Sequence, residues 1–270
     1  MLRVLGLGDN TVDRYLHRQE MFPGGNAVNV AVHAVRAGHA ASYLGALGND
    51  QHGKLILNAL RQEGVDTSHC RMIEGANAYC EISLQNGDRV FGDSIPGVRS
   101  QLNLTEEDWA FIAEHDLVHT GLYSDVEPYL ARLAEVSQTL SFDYSSEWDK
   151  AYLAKTLGFI DFALLSVDIE STPQYQSLAK WITAQGPRLV LITLGAQGAY
   201  LVEADQAYHQ ASVEGPIVDT LGAGDSFAAC FMVECLSGTP PQEALDKAAH
   251  AAAQTCQHYG AFGHGAAINH

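Results

Sequence analysis

The stretch Asp219-Thr220-Leu221-Gly222-Ala223-Gly224-Asp225-Ser226-Phe227 brings small residues and carboxylates together just ahead of a helical segment, Ser226 to Leu236. Gly222, Ala223 and Gly224 let backbone N–H groups approach a ligand closely. The start of the helix adds unpaired amides and the positive end of its dipole, which together favour an anion. Asp225 stands inside that turn, where a site for anions alone would repel it. It fits as a base that takes a proton from a hydroxyl while the neighbouring amides hold the phosphoryl group under attack. Taken alone, the stretch also reads as a glycine-rich turn with Asp as helix N-cap, and composition by itself favours that reading.

A second stretch, Gly24-Gly25-Asn26-Ala27-Val28-Asn29-Val30-Ala31, puts two amide side chains three residues apart on the first turn of a helix. Asn26 and Asn29 there can fix polyol hydroxyls through paired donors and acceptors, with Gly25 allowing close approach, or Asn26 can serve only as a cap. Asp9 and Asp13 follow the first apolar run, at the sheet edge where α/β proteins bind ligands. They accept hydrogen bonds from sugar hydroxyls or cap a turn. The preceding Gly6-Leu7-Gly8-Asp9-Asn10-Thr11 lacks the third glycine of a dinucleotide fingerprint. The 12 histidines show no His-x-x-x-His pattern with a third ligand, which argues against a metal centre built on them.

These residues need elements to hold them. Strand and helix signals alternate along most of the chain, the pattern of a mainly parallel sheet covered by helices. Strands are expected over Leu2 to Leu7, Ala41 to Leu47, Leu117 to His119, Leu140 to Asp143, Phe159 to Ser166 and Leu189 to Leu194. Helices are expected over Ala27 to Ala37, with Gly38 as the stop, over Gly53 to Glu63 and over Tyr129 to Gln138. Between Met72 and Val98 the pattern changes to alternating residues around Gln85-Asn86-Gly87-Asp88, a hairpin signal, which predicts a flap over a site.

With 270 residues, 47% of them hydrophobic and 17% charged, the chain can bury a large core. Fifteen Lys and Arg against 32 Asp and Glu give a formal charge of -17, a sign that repels nucleic-acid backbones and anionic lipid surfaces. Five cysteines, odd in number and without a C-x-x-C pair, fit a reducing compartment. No apolar run approaches the roughly 18 residues of a membrane helix, and no signal-peptide core precedes Asp9. The expectation is a cytoplasmic protein with no nucleic-acid or membrane partner.

The two stretches, with Leu44-Gly45-Ala46-Leu47-Gly48-Asn49-Asp50-Gln51-His52-Gly53 between them, resemble the signatures of the ribokinase-like, or phosphofructokinase B, family of carbohydrate kinases. The resemblance runs in the family's order over nearly the whole chain. Within the family the sequence is most similar to fructoselysine 6-kinases and related kinases of Amadori sugars. Gly8 to Asp13, Asp88 to Asp93, Phe142 to Ser145 with Trp148-Asp149, and Tyr259 to Phe262 carry that narrower likeness.

The resemblance implies a single domain over residues 1–270, a three-layer α/β/α sandwich. A small β-sheet lid would be formed by parts of residues 9–22 and 72–98. It implies Asp225 as catalytic base, with Gly222, Ala223 and Gly224 as the anion hole, and Asp13, Gly25, Asn26 and Asn29 on the sugar. ATP would meet Ser166, Thr193, Gly195, Gly198, Gly222 and Gly224, with Mg²⁺ and, as in parts of the family, a monovalent cation. The family's Asn-x-x-Glu motif is replaced here by Ser166-Val167-Asp168-Ile169-Glu170, which displaces the metal-organising carboxylate to Glu170. The implied reaction is ATP-dependent phosphorylation of the 6-hydroxyl of a fructosamine such as fructoselysine. Alternatives are a plain ketose, another Amadori compound or a nucleoside as acceptor, or a sugar-binding protein without activity. Asp9 and Asp93 are the expected partners of the acceptor's amine, and an exposed hairpin edge favours pairing of two copies through the lid.

Overall fold

Runs such as Val4 to Leu7 and Leu189 to Ile192 are apolar without alternation, so their strands must be buried on both faces. The computed structural model, which describes residues 1–85, 88–167 and 172–268, meets that demand with a central sheet between two layers of helices. The strands are β1 (Arg3–Leu7), β2 (Thr11–Tyr15), β3 (Glu20–Gly24), β4 (Ala40–Leu44), β5 (Ala46–Gly48), β6 (Arg71–Ile73), β7 (Tyr79–Gln85), β8 (Asp88–Ile95), β9 (Leu117–Gly121), β10 (Leu140–Asp143), β11 (Phe162–Ser166), β12 (Leu189–Thr193), β13 (Ala199–Glu203), β14 (Gln206–Gln210) and β15 (Ala266–Ala267). The helices are α1 (Asn26–Arg36), α2 (Gln51–Gln62), α3 (Glu106–Ile112), α4 (Leu130–Val136), α5 (Lys150–Thr156), α6 (Thr172–Thr183), α7 (Ala223–Leu236) and α8 (Pro241–Thr255).

The central sheet has the order β14-β13-β12-β11-β10-β9-β1-β4, parallel except where β13 and β14 run antiparallel at one edge. Helices α1, α2, α7 and α8 bury their apolar faces on one side, around Val28, Ile56, Phe231 and Leu245. On the other side α3, α4, α5 and α6 pack Trp109, Leu133, Leu153 and Ile182. Burial of these side chains, each contributing about 1.5–3 kcal/mol, fixes the sheet as a rigid platform. The ends of β9 and β10 and the starts of α1 and α7 meet at one edge of it.

A second, smaller sheet has the order β15-β3-β2-β7-β8 and includes parts of both segments expected to form a lid. The expected hairpin is present as β7 and β8, paired from Tyr79 with Ile95 to Gln85 with Asp88; its Asn86-Gly87 turn lies outside the described residues. Strand β15 was not visible in the sequence, because two alanines carry no alternating pattern. The expected strand over Ala41 to Leu47 divides at Gly45. The Tyr43 hydroxyl donates to the Gly8 carbonyl at 2.8 Å, and a Cβ on Gly45 would lie 2.1 Å from that hydroxyl. The chain therefore leaves the central sheet there, and β5 pairs with β6. Among the described residues no helix is long and apolar enough to cross a membrane.

Candidate active site

Strand β1 delivers Asp9 to the start of α1. Gly25, at φ 109, makes the turn into the helix, where a Cβ would fall 2.5 Å from the Asn10 Cα. The Asn26 amide donates to Asp9 Oδ2 at 2.8 Å and the Ala27 amide to Oδ1 at 3.0 Å, with the Ser124 hydroxyl 3.3 Å from Oδ1. Burial pushes the Asp9 carboxyl up from its ordinary value, and the two amides pull it back. The Asp9 carboxylate thus closes the first amides of α1, and Asp9 also lines the larger cavity.

That cap aims Asn26 and Asn29 across the site at α7. Asn29 Nδ2 donates to Asp225 Oδ2 at 2.5 Å, and Asn26 Nδ2 donates to Asp225 Oδ1 at 2.8 Å and to Asp143 Oδ2 at 2.9 Å. Because both Asn26 N–H groups point at carboxylates, its Oδ1 must accept, and His119 Nε2 lies 2.7 Å away. His119 Nε2 therefore carries a proton, and Nδ1 lies 2.8 Å from the Ser141 hydroxyl. Burial holds the imidazole pKa down to about 3, which keeps it neutral at physiological pH. Asn29 lines the cavity, and its Oδ1 is buried without a protein partner.

Asp225 touches the cavity but is ringed by protein, and desolvation pushes its carboxyl up to about 6 against the pull of Asn29 and Asn26. Asp143, at the end of β10, is raised to about 7 by burial and by the nearby Asp225 charge. Two carboxylates sharing one amide cannot both ionise freely, so the pair titrates near neutrality. Helix α7 starts at Ala223, three residues earlier than expected, which puts Asp225 in its first turn. Gly222, at φ 76, is the N-cap; a Cβ there would lie 2.3 Å from that of Ala261. Ser226 N bonds Gly222 O at 2.9 Å and Ala223 N bonds Thr220 O at 3.3 Å. The amides of Gly224 and Asp225 have no acceptor within the helix, and a Gly224 Cβ would meet nothing within 4 Å. The arrangement leaves room for an anion at the open amides, beside a carboxylate.

A cavity of about 620 Å³ lies over this floor, with Tyr79, Cys80, Gly92 and Ser94 of the smaller sheet on its other wall. A smaller one of about 120 Å³ is lined by Ser166, Thr193 and Gly224. Asp143, Ser145 and Asp225 belong to both, so they stand where two compartments meet. Asp13, Gly25, Asn26 and Asn29 line the larger cavity; Gly24 is bare because a Cβ would sit 2.5 Å from Asp13 Oδ2. Ser166 and Thr193 share a 2.9 Å hydroxyl contact on adjacent strands. Gly195 and Gly198, at φ 56 and 94, shape the turn from β12 to β13 and line neither cavity. Asp93 is exposed and lines neither cavity, although Gly92, Ser94 and Ile95 around it line the larger one. Glu170 lies outside the described residues. Asp143 and His119 had no role in the sequence reading, although the stretch holding Asp143 contributed to the likeness.

A family model for pfkB family carbohydrate kinases matches residues 3–264. The chain belongs to that family. Among its relatives, the fructosamine kinase FrlD of Bacillus subtilis (strain 168) is 41% identical over 98% of this chain and 94% of its own length. The fructoselysine 6-kinase of Escherichia coli (strain K12) is 35% identical over 95% of this chain and 98% of its own. A solved structure of Arabidopsis thaliana ribokinase complexed with ribose and ATP superposes with a TM-score of 0.82, at 21% identity, covering 97% of this chain and 94% of that one. The expected ribokinase-like sandwich with a small extra sheet is therefore the fold of this kinase.

Proposed function

We propose that the protein transfers the γ-phosphoryl group of ATP to the 6-hydroxyl of a fructosamine. The observation that carries this reading is Asp225: a carboxylate raised to about 6, beside free first-turn amides of α7 and held by two asparagines on the acceptor side. The likeness over nearly full length to a fructosamine kinase and a fructoselysine 6-kinase supports the acceptor class.

The acceptor binds in the larger cavity, its hydroxyls met by Asn26, Asn29 and Asp13, and presents the 6-hydroxyl to Asp225. ATP enters from the side of Ser166 and Thr193. Asp225 takes the hydroxyl proton as the oxygen attacks the γ-phosphorus, ADP leaves, and the Gly224 and Asp225 amides with the helix dipole offset charge on the transferred group. A magnesium ion bound with the nucleotide would supply neutralisation of phosphate charge. Such ions take only one or two protein carboxylates besides phosphates and water, and Asp143, open to both compartments, is the described residue that would serve it. The amine of the acceptor suits a wall that also carries Asp13 and Glu147.

ATP consumption measured against fructoselysine, fructose, ribose and a nucleoside tests the reading. A higher kcat/KM for fructoselysine is expected. Equal values for fructose and fructoselysine would leave a general sugar kinase, and no turnover with any of them would leave a binding protein.

A further inference from the structure

The larger cavity is acidic, lined by Asp9, Asp13, Asp143, Glu147 and Asp225, yet its wall also contains one cation, Arg99. Arg99 lies on the 3-10 turn Gly97–Gln101 that follows strand β8. Its situation differs from that of every other arginine whose side chain is described. Six of those hold a carboxylate within 4 Å. Arg61 bonds the Thr67 hydroxyl, and Arg188 lies over the Phe162 ring. The Arg99 side chain has no hydrogen bond, ion pair or ring contact with any described residue, and its Nε is buried with no partner at all. Its charge is nonetheless felt at Asp9, the residue that caps the acceptor-side helix, so it stands close to the sugar floor.

A desolvated guanidinium edge left unpaired is costly unless a ligand completes it, and the fork geometry of arginine matches a carboxylate or a phosphate. Which of the two follows from position. The phosphoryl group arrives over Gly224 from the compartment of Ser166 and Thr193, and Arg99 does not line that compartment. We infer that Arg99 is the carboxylate subsite for the amino-acid part of the acceptor. The preferred substrates are then fructosyl amino acids whose carboxylate sits on the carbon bearing the glycated nitrogen, near the sugar. This rests on the fructosamine reading above and narrows it. The acid wall selects the amine, and it would repel a carboxylate everywhere except at Arg99, so a zwitterionic acceptor has one orientation.

The test compares N-fructosyl-glycine, N-fructosyl-methylamine, which is the same compound without the carboxylate, and fructose, with the wild type, R99Q and R99K. The wild type should prefer fructosyl-glycine to fructosyl-methylamine by at least about tenfold in kcat/KM. R99Q should bring that ratio close to one, and R99K, which keeps the charge without the fork, should fall between. Thermal melts of each variant check that the fold is retained. A wild-type ratio near one, or a ratio unchanged in R99Q, would overturn the carboxylate subsite while leaving the fructosamine reading intact. A fall in kcat on all acceptors with a raised KM for ATP would place Arg99 on the phosphoryl group instead. If neither fructosyl compound exceeds fructose, the fructosamine reading itself fails.

Discussion

Two helices begin at the floor of the cavity, and each is introduced by a glycine at positive φ, Gly25 before α1 and Gly222 before α7. The α1 amides are closed by a carboxylate of the protein, Asp9. The α7 amides have no side-chain cap, and the nearby carboxylate, Asp225, is drawn away from them by Asn26 and Asn29. The same helix-end electrostatics therefore serve two ends. One N-terminus takes an internal anion and becomes a fixed support; the other is left open, as the proposed transfer of a phosphoryl group requires.

The contrast can be broken most severely at Asp225. D225N keeps the size of the side chain but removes the base, and turnover should fall by about 10²–10⁴-fold, while calorimetric titration still detects ATP. Near wild-type turnover would remove Asp225 from the role of base. The converse change at the other helix should act on stability. Asp9→Ala leaves the backbone amides of Asn26 and Ala27 without their acceptor and should cost about 1–3 kcal/mol, read as a lower midpoint in thermal or urea unfolding. Lost acceptor affinity at unchanged stability would show that Asp9 belongs to the substrate after all.

The pH profile sharpens the same distinction. Asp225 works as a base only when ionised, and its carboxyl is raised to about 6. Activity should therefore fall about tenfold per unit as pH drops below that value and level off above it. For stability the sign is reversed. A raised native pKa means that the folded state binds more protons than the unfolded one between the ordinary carboxylate range and about 6, so this group's contribution declines as pH rises through that window. A profile flat down to pH 5 would contradict the assignment. The smallest effect is expected at His119. H119F frees the Asn26 amide to flip and should lower kcat/KM by up to about tenfold, the worth of one such hydrogen bond, with the acceptor KM rising more than that for ATP. H119Q, which restores an N–H donor, should recover much of the loss.

The sequence was most legible where one short segment contains both the turn and the chemical group. Gly222 to Asp225 and Gly24 to Asn29 are such segments, and helices and strands around them fall within a few residues of expectation. Asp143 and His119 were not legible in that way. Each belongs to a strand whose sequence reads only as core, and their relevance appears when β9 and β10 lie side by side and deliver them to Asn26. Asp93 lines neither cavity while Gly92, Ser94 and Ile95 line the larger one, and the irregular pairing of β7 with β8 at this point is something an alternating sequence pattern does not reveal. For Asp9 the deciding fact was which amides lay within reach, and that depends on the turn at Gly25 rather than on the residue itself.

Strand β15 sets a condition on the order of assembly. Ala266 pairs with Met21 and Ala267 with Glu20, so the smaller sheet is completed by residues from opposite ends of the chain. Contacts so distant along the sequence are slow to form, because a long loop must close before any hydrogen bond repays it. During synthesis the strands of that sheet in the first hundred residues exist while β3 still has an unpaired edge, open to the wrong partner. The same late segment brings Ala261 against Gly222 and the Gly260 amide to Asp219, 3.1 Å from its Oδ2. Closure of the sheet edge and settling of the catalytic helix are thus coupled to one event, and a chain stalled before it would have most of its site residues but no finished site.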